Sequence, residues 1–183
     1  TKGAQTNKTV LEKECYLTQS ETERLKRVSA ELGVTANTIV ETALGILLQK
    51  QNHTEDAIFG KVVSGRSGNF DGIEEMAGLF INTVVKRIRC TNEEMISSVL
   101  QRVQRDSNES TKYDYIGLTE IQSQSLLKGN LIKTIFAFEN YYVSSSETEN
   151  TVSTETESVV SMESSREETS YDISFAASIS NQL

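Results

Sequence analysis

The sequence predicts an α/β layered fold, and three observations carry that expectation. Residues 57–63 and 84–89 read as short β-type apolar runs flanking a glycine-rich loop. Residues 20–33, 35–48 and 94–103 repeat apolar side chains at helical spacing. Residues 134–139 and 171–179 return to strand character, the second through strict alternation of Tyr171, Ile173, Phe175, Ala177 and Ile179. That alternation predicts one buried face.

Residues 1–15 are polar apart from Val10 and Leu11, and read as a lead-in segment or short edge strand. Ser20 and Glu23 have capping-box spacing and predict the first helix start. Leu25, Val28 and Leu32 share a face, and Gly33 fits a left-handed helix end. Thr35 caps a second helix, whose Ile39, Val40, Ala43, Leu44, Ile46, Leu47 and Leu48 predict burial on more than one side. Thr91 and Glu94 predict the cap of a third helix with Ile96, Val99, Leu100 and Val103 inward, ending in the polar run 106–112. A short helix is expected over 118–124 and a buried strand over 134–139. Ser, Thr and Glu make up 21 of the 27 residues from 144 to 170, too few of them apolar to repay ordering entropy. This segment is therefore expected to be a mobile loop.

Composition excludes several functions. The net charge of −8 argues against nucleic-acid binding through a basic surface. Cys15, Cys90 and the lone His53 cannot make a Cys/His zinc site or a disulfide scaffold. No apolar stretch is long enough for a membrane span and no signal peptide is visible, so a reducing, cytoplasmic setting is the default expectation. The chain opens at Thr1, as an excised piece would. Proline is absent, where roughly nine would be expected at a share of about 5%.

The stretch from Asp56 to Arg87 organises the rest. Its loop is long for a compact domain, and such loops are usually functional or disordered. Arg66 can form a bidentate pair with a ligand's carboxylate or phosphate, or a structural ion pair with Asp71, Glu74 or Glu75. Those three carboxylates could hold a hard cation or simply form a solvated face. Asn82 sits among apolar neighbours, where its amide must be hydrogen-bonded; it either clamps loop backbone or faces a ligand tunnel. Ser64 lacks a nucleophile elbow and a histidine partner, and the glycines lack a Gly-Lys-Ser/Thr ending. His53, in a polar turn, has no nucleophile or orienting group nearby. No self-contained active site emerges.

These residues carry a resemblance. VSGR, a short loop and DGIEEMAGLFINT, followed by a basic strand, resemble the second half of a condensation domain of nonribosomal peptide synthetases. The similarity runs upstream through VTANTIVETALGILLQ and downstream through YDYIGLTEIQSQS to TIFAFENYYV, covering about residues 16–143, with a weaker tail in YDISFAASI. It implies a C-terminal lobe, residues 1–183, of the chloramphenicol-acetyltransferase-like (CoA-dependent acyltransferase-like) fold, a mixed sheet packed with helices. The family joins aminoacyl or peptidyl thioesters carried on phosphopantetheine arms, so no cofactor is expected to be bound directly. Implied partners are the N-terminal lobe of the same domain, peptidyl carrier proteins and an adenylation domain, with no nucleic acid and no membrane. Residues 64–83 resemble the floor segment beneath the substrate tunnel, which puts Gly65, Arg66, Gly78, Phe80, Asn82 and Thr83 on its wall. The latch to the other lobe would fall within 113–143 or the Ser/Thr/Glu segment.

The departures matter as much. The family's catalytic signature, two histidines, three residues and Asp-Gly, is absent, and His53 does not match it. No catalytic residue and no metal ligand is therefore assigned, and this segment alone is expected to be inactive. Prolines usual in the family are replaced by Val85, by Tyr142, and by Gly117 or Ile116, which leaves those backbones less restricted. The resemblance also admits a non-catalytic docking module for carrier or adenylation domains. It equally admits a lobe of an epimerisation or cyclisation domain, or of a coenzyme-A-dependent acyltransferase.

Overall fold

A computed structural model describes residues 10–66, 72, 73, 75–139 and 170–179. Of segment 144–170, expected to be mobile, residues 144–169 lie outside the described residues, as do Asp71 and Glu74. Helix α1 spans Gln19–Leu32. It starts two residues before the expected position, because Thr18 rather than Ser20 forms the capping box. The Thr18 hydroxyl accepts from the Glu21 amide, while the Glu21 carboxylate takes the Thr18 N–H at 2.8 Å. Gly33, at φ 65°, ends the helix as expected, with Val34 N–H returning to the Ser29 carbonyl.

Helix α2 (Ala36–Asn52) is capped by Thr35 as expected. Its buried stripe is not the apolar one. Thr38, Glu41, Thr42, Gly45 and Gln49 face inward together with Leu44, while Ala43 and Leu47 are exposed and Ile39, Val40, Ile46 and Leu48 are half-buried. The cause is what α2 meets. Gly45 lies against Ile88 so closely that a Cβ there would come within 2.5 Å of it. Gln49 Nε2 satisfies the carbonyls of Glu55 and Ile88 at 2.7 and 2.9 Å.

Strands β1 (Asp56–Val63) and β2 (Asn82–Arg89) pair antiparallel over their full length. Asn82 and Thr83 thus belong to the strand, and the connecting loop is 64–81. Helix α3 (Ile96–Ser110) begins later than expected: Glu94 does accept the Thr91 N–H, but this closes a turn before the helix. Val99, Leu100 and Val103 are buried, whereas Ile96, in the first turn, is exposed. The polar run 106–112 is not irregular; it completes α3 and a short 3₁₀ turn, Thr111–Tyr113. Helix α4 (Leu118–Ser123) leads to β3 (Thr134–Glu139) and then β4 (Ile173–Ser178).

The sheet order is β2-β1-β3-β4, with β1/β3 and β3/β4 parallel. Leu44, Phe59, Ile88, Val99, Val103 and Phe136 form the core between α2, α3 and one sheet face. Phe59 and Phe136 meet edge-to-face at 6.2 Å. Strand β4 does not bury a face as its alternation predicted. It is an edge strand; Ala177 reaches the core while Ile173 and Phe175 stay exposed. Alternation records which side chains share a face, and the edge position decides whether that face is covered. No single helix among the described residues is long and apolar enough to cross a membrane.

Candidate functional site

The loop after β1 is built on one tight approach. Gly65, at φ 68°, lies so near Phe80 that a Cβ would stand 1.7 Å from the Phe80 carbonyl oxygen. Only glycine permits that backbone contact. It draws the two loop ends together and places the Arg66 guanidinium over the Phe80 ring, 4.5 Å from its centroid. Gly78 packs on the same ring, where a Cβ would be 3.1 Å from Cε2.

Among the described residues, Arg66 makes neither a ligand-type fork nor a carboxylate pair. Its Nη1 donates to the carbonyls of Ile73 and Met76, at 2.6 and 2.9 Å. Arg66 thus ties the start of the loop to the Ile73 and Met76 backbone, satisfying two carbonyls there. Asn82 takes the clamping alternative. Its Nδ2 donates to Asp114 O at 2.8 Å and Ile116 O at 2.7 Å, and its Oδ1 accepts the Thr83 N–H at 2.9 Å. The amide bolts the start of β2 to the turn before α4.

Gly65, Arg66, Gly78, Phe80, Asn82 and Thr83 therefore come together at one end of the β1–β2 hairpin. Apolar side chains stand exposed around them, among them Leu79, Ile81 and Tyr115, with Leu79 91% exposed. His53 is remote in role: it occupies the left-handed C-cap of α2, at φ 52°, exposed. Glu75 is exposed, and no group of three metal-ligating side chains occurs among the described residues.

Sequence reasoning missed a polar cluster between α2, α3 and strands β1 and β2. Glu41 is fully buried and binds Lys61 Nζ through Oε2 at 2.6 Å and Lys86 Nζ through Oε1 at 3.0 Å. Ser107 Oγ donates to the same Oε1 at 3.0 Å, and Lys86 also donates to Ser107. Burial pushes the Lys86 ammonium below the usual lysine range, opposed by Glu41. Asp114 is buried nearby; burial raises its carboxyl above the usual range, and the charge of Lys61 pulls the other way. A signal was available. Lys61 alternates in phase with Ala57 and Phe59, and Lys86 with Val84 and Ile88, so both had to point inward.

The comparisons with known proteins agree with this architecture. The Condensation domain family model matches residues 3–183. Bacitracin synthase 3 of Bacillus licheniformis is 42% identical over 138 residues, which is 75% of this chain and 2% of that protein. Tyrocidine synthase 2 of Brevibacillus parabrevis is 39% identical over 125 residues, covering 68% of the chain and 4% of the relative. The chain thus spans only a small part of the curated relatives it matches. Among solved structures, the first condensation domain of the CDA synthetase aligns at TM-score 0.57 and 16% identity, covering 67% of this chain and 27% of that one. A holo four-domain nonribosomal peptide synthetase aligns at TM-score 0.60 and 17% identity, over 69% and 10% of the two chains. With a mixed sheet, its helices and a match to about a quarter of a solved condensation domain, this chain belongs to the condensation-domain family of nonribosomal peptide synthetases and forms a lobe of its chloramphenicol-acetyltransferase-like fold.

Proposed function

We propose that this lobe serves peptide-bond formation between aminoacyl or peptidyl thioesters held on the phosphopantetheine arms of carrier proteins, supplying tunnel wall and floor but no catalytic base. The collinear family match over residues 3–183 is the observation that carries this reading. The site supports the division of labour. Arg66 Nη1 and Asn82 Nδ2 donate to backbone carbonyls. Loop ends held in this way suit keeping two tethered substrates in register, where proximity lowers the barrier. The exposed apolar side chains around the loop suit burial against the N-terminal lobe of the same domain. Carrier proteins and an adenylation domain complete the assembly.

The test uses the intact synthetase with two loaded carriers, reading product mass and stereochemistry. A dipeptidyl thioester of unchanged configuration is the expected product. An inverted residue would place the lobe in an epimerisation domain, and a dehydrated ring in a cyclisation domain; either would overturn the reading. The chain alone, residues 1–183, is expected to form no dipeptide.

A further inference from the structure

Helix α2 aims a carboxylate into the sheet, where β1 and β2 each answer with a lysine. Glu41 is 0% exposed in its side chain, Lys86 8% and Lys61 15%, so water reaches little of this cluster. Ion pairs buried this deeply are a poor source of stability, because desolvating the charges offsets their attraction and apolar groups of the same size often do as well. What the cluster supplies instead is direction. Each charge demands a partner at one distance and angle, whereas apolar packing tolerates sliding.

Its location says what is being directed. Lys61 pairs with Val84 and Val63 with Asn82, so Lys61 and Asn82 point to the same face at the root of the 64–81 loop. Lys61 is bound to Glu41 on one side and acts electrostatically on Asp114 on the other. Asp114 in turn gives its carbonyl to Asn82. Lys86 closes the circuit through Ser107 and Val103 O on α3. Two helices and both strands thus share one buried ion-pair network, and Asn82 ties the turn before α4 to the same face of β2.

We propose that Glu41, Lys61 and Lys86 are positioning residues that lock α2 and α3 against the root of the 64–81 loop, and so set where that loop stands relative to the substrate passage. The proposal rests on the floor role given to the loop above. Apolar replacement of all three should leave the core folded but let the loop root drift. A misplacement on the order of 1 Å can cost up to about 100-fold in rate.

The test compares the intact synthetase with its Glu41→Leu/Lys61→Met/Lys86→Met variant. Three quantities are read: thermal midpoint, amide exchange at 114–117 and 82–83, and single-turnover condensation rate. An unchanged or higher midpoint is expected, with faster exchange at those amides and a rate lower by about 10-fold or more. Wild-type exchange and rate in the triple variant overturn the proposal. If that variant does not fold, Lys61→Met alone leaves Glu41 bound to Lys86 and Ser107 while removing the Glu41–Lys61 ion pair and the charge that acts on Asp114. Faster exchange at 114–117 then supports the network, and unchanged exchange overturns it. Because exchange is read without catalysis, a wild-type enzyme that makes no peptide bond would sink the functional reading while the exchange still decides the network.

Discussion

Replacing Asn82 by alanine tests the clamp between β2 and the turn before α4. The side chain makes three hydrogen bonds, two as donor to Asp114 O and Ile116 O and one as acceptor from Thr83 N–H. Each is worth about 1 kcal/mol net. Asn82 is only half-buried, so water can recover part of the loss. The expected destabilisation is therefore about 2–3 kcal/mol, a large share of the roughly 5–15 kcal/mol that holds a typical domain. At a urea dependence of about 1–3 kcal/mol per molar, the midpoint should fall by about 1 M. Asn82→Asp is the sharper variant. It keeps the shape but sets a carboxylate against two carbonyl oxygens, so it should be less stable than alanine. Urea titration of the intact domain, with amide exchange at Ile116, measures both. An aspartate variant as stable as wild type would refute the assignment of Nδ2 to those carbonyls.

Three further substitutions probe the frame. Gly65→Ala forces a Cβ to within 1.7 Å of the Phe80 carbonyl at φ 68°, so the loop must rebuild; a loss of at least about 1–2 kcal/mol is expected from the left-handed backbone alone. An alanine variant with a wild-type melting curve would contradict that approach. Gly45→Ala gains about 1 kcal/mol of helix propensity but meets the fully buried Ile88 at 2.5 Å, and overpacking of about 1–3 kcal/mol should win; a higher melting temperature would show that α2 can retreat. Asp114 binds its proton more tightly folded than unfolded, because burial raises its carboxyl. Stability should therefore fall as pH rises from the ordinary aspartate range through the raised one. Asp114→Asn should flatten that slope and be more stable at pH 7; urea midpoints across pH measure it, and an unchanged slope rejects the burial argument.

Much of the fold was legible because its signals are local. Thr35, Gly33 and the 134–139 run needed only caps, a left-handed stop and β-type side chains. The first helix start was misplaced where two capping spacings compete, Thr18–Glu21 against Ser20–Glu23. The third was misplaced because the Thr91–Glu94 pair closes a turn ahead of a helix that starts at Ile96 without a side-chain cap. Local spacing does not rank such rivals, because each pair offers the same three-residue separation of hydroxyl and carboxylate.

The sequence by itself determined the α/β class, the loop as the organising feature, the absence of a second histidine and the family resemblance. Tertiary structure decided what the polar groups do. Among the described residues Arg66 pairs with no carboxylate, and the Ile73 and Met76 carbonyls accept from its Nη1. The polar stripe of α2 became the buried one because Lys61 and Lys86 arrive from strands twenty and more residues away. An unpaired charge at Glu41 would be too costly to bury, so its inward orientation depends on partners that only the folded chain brings together.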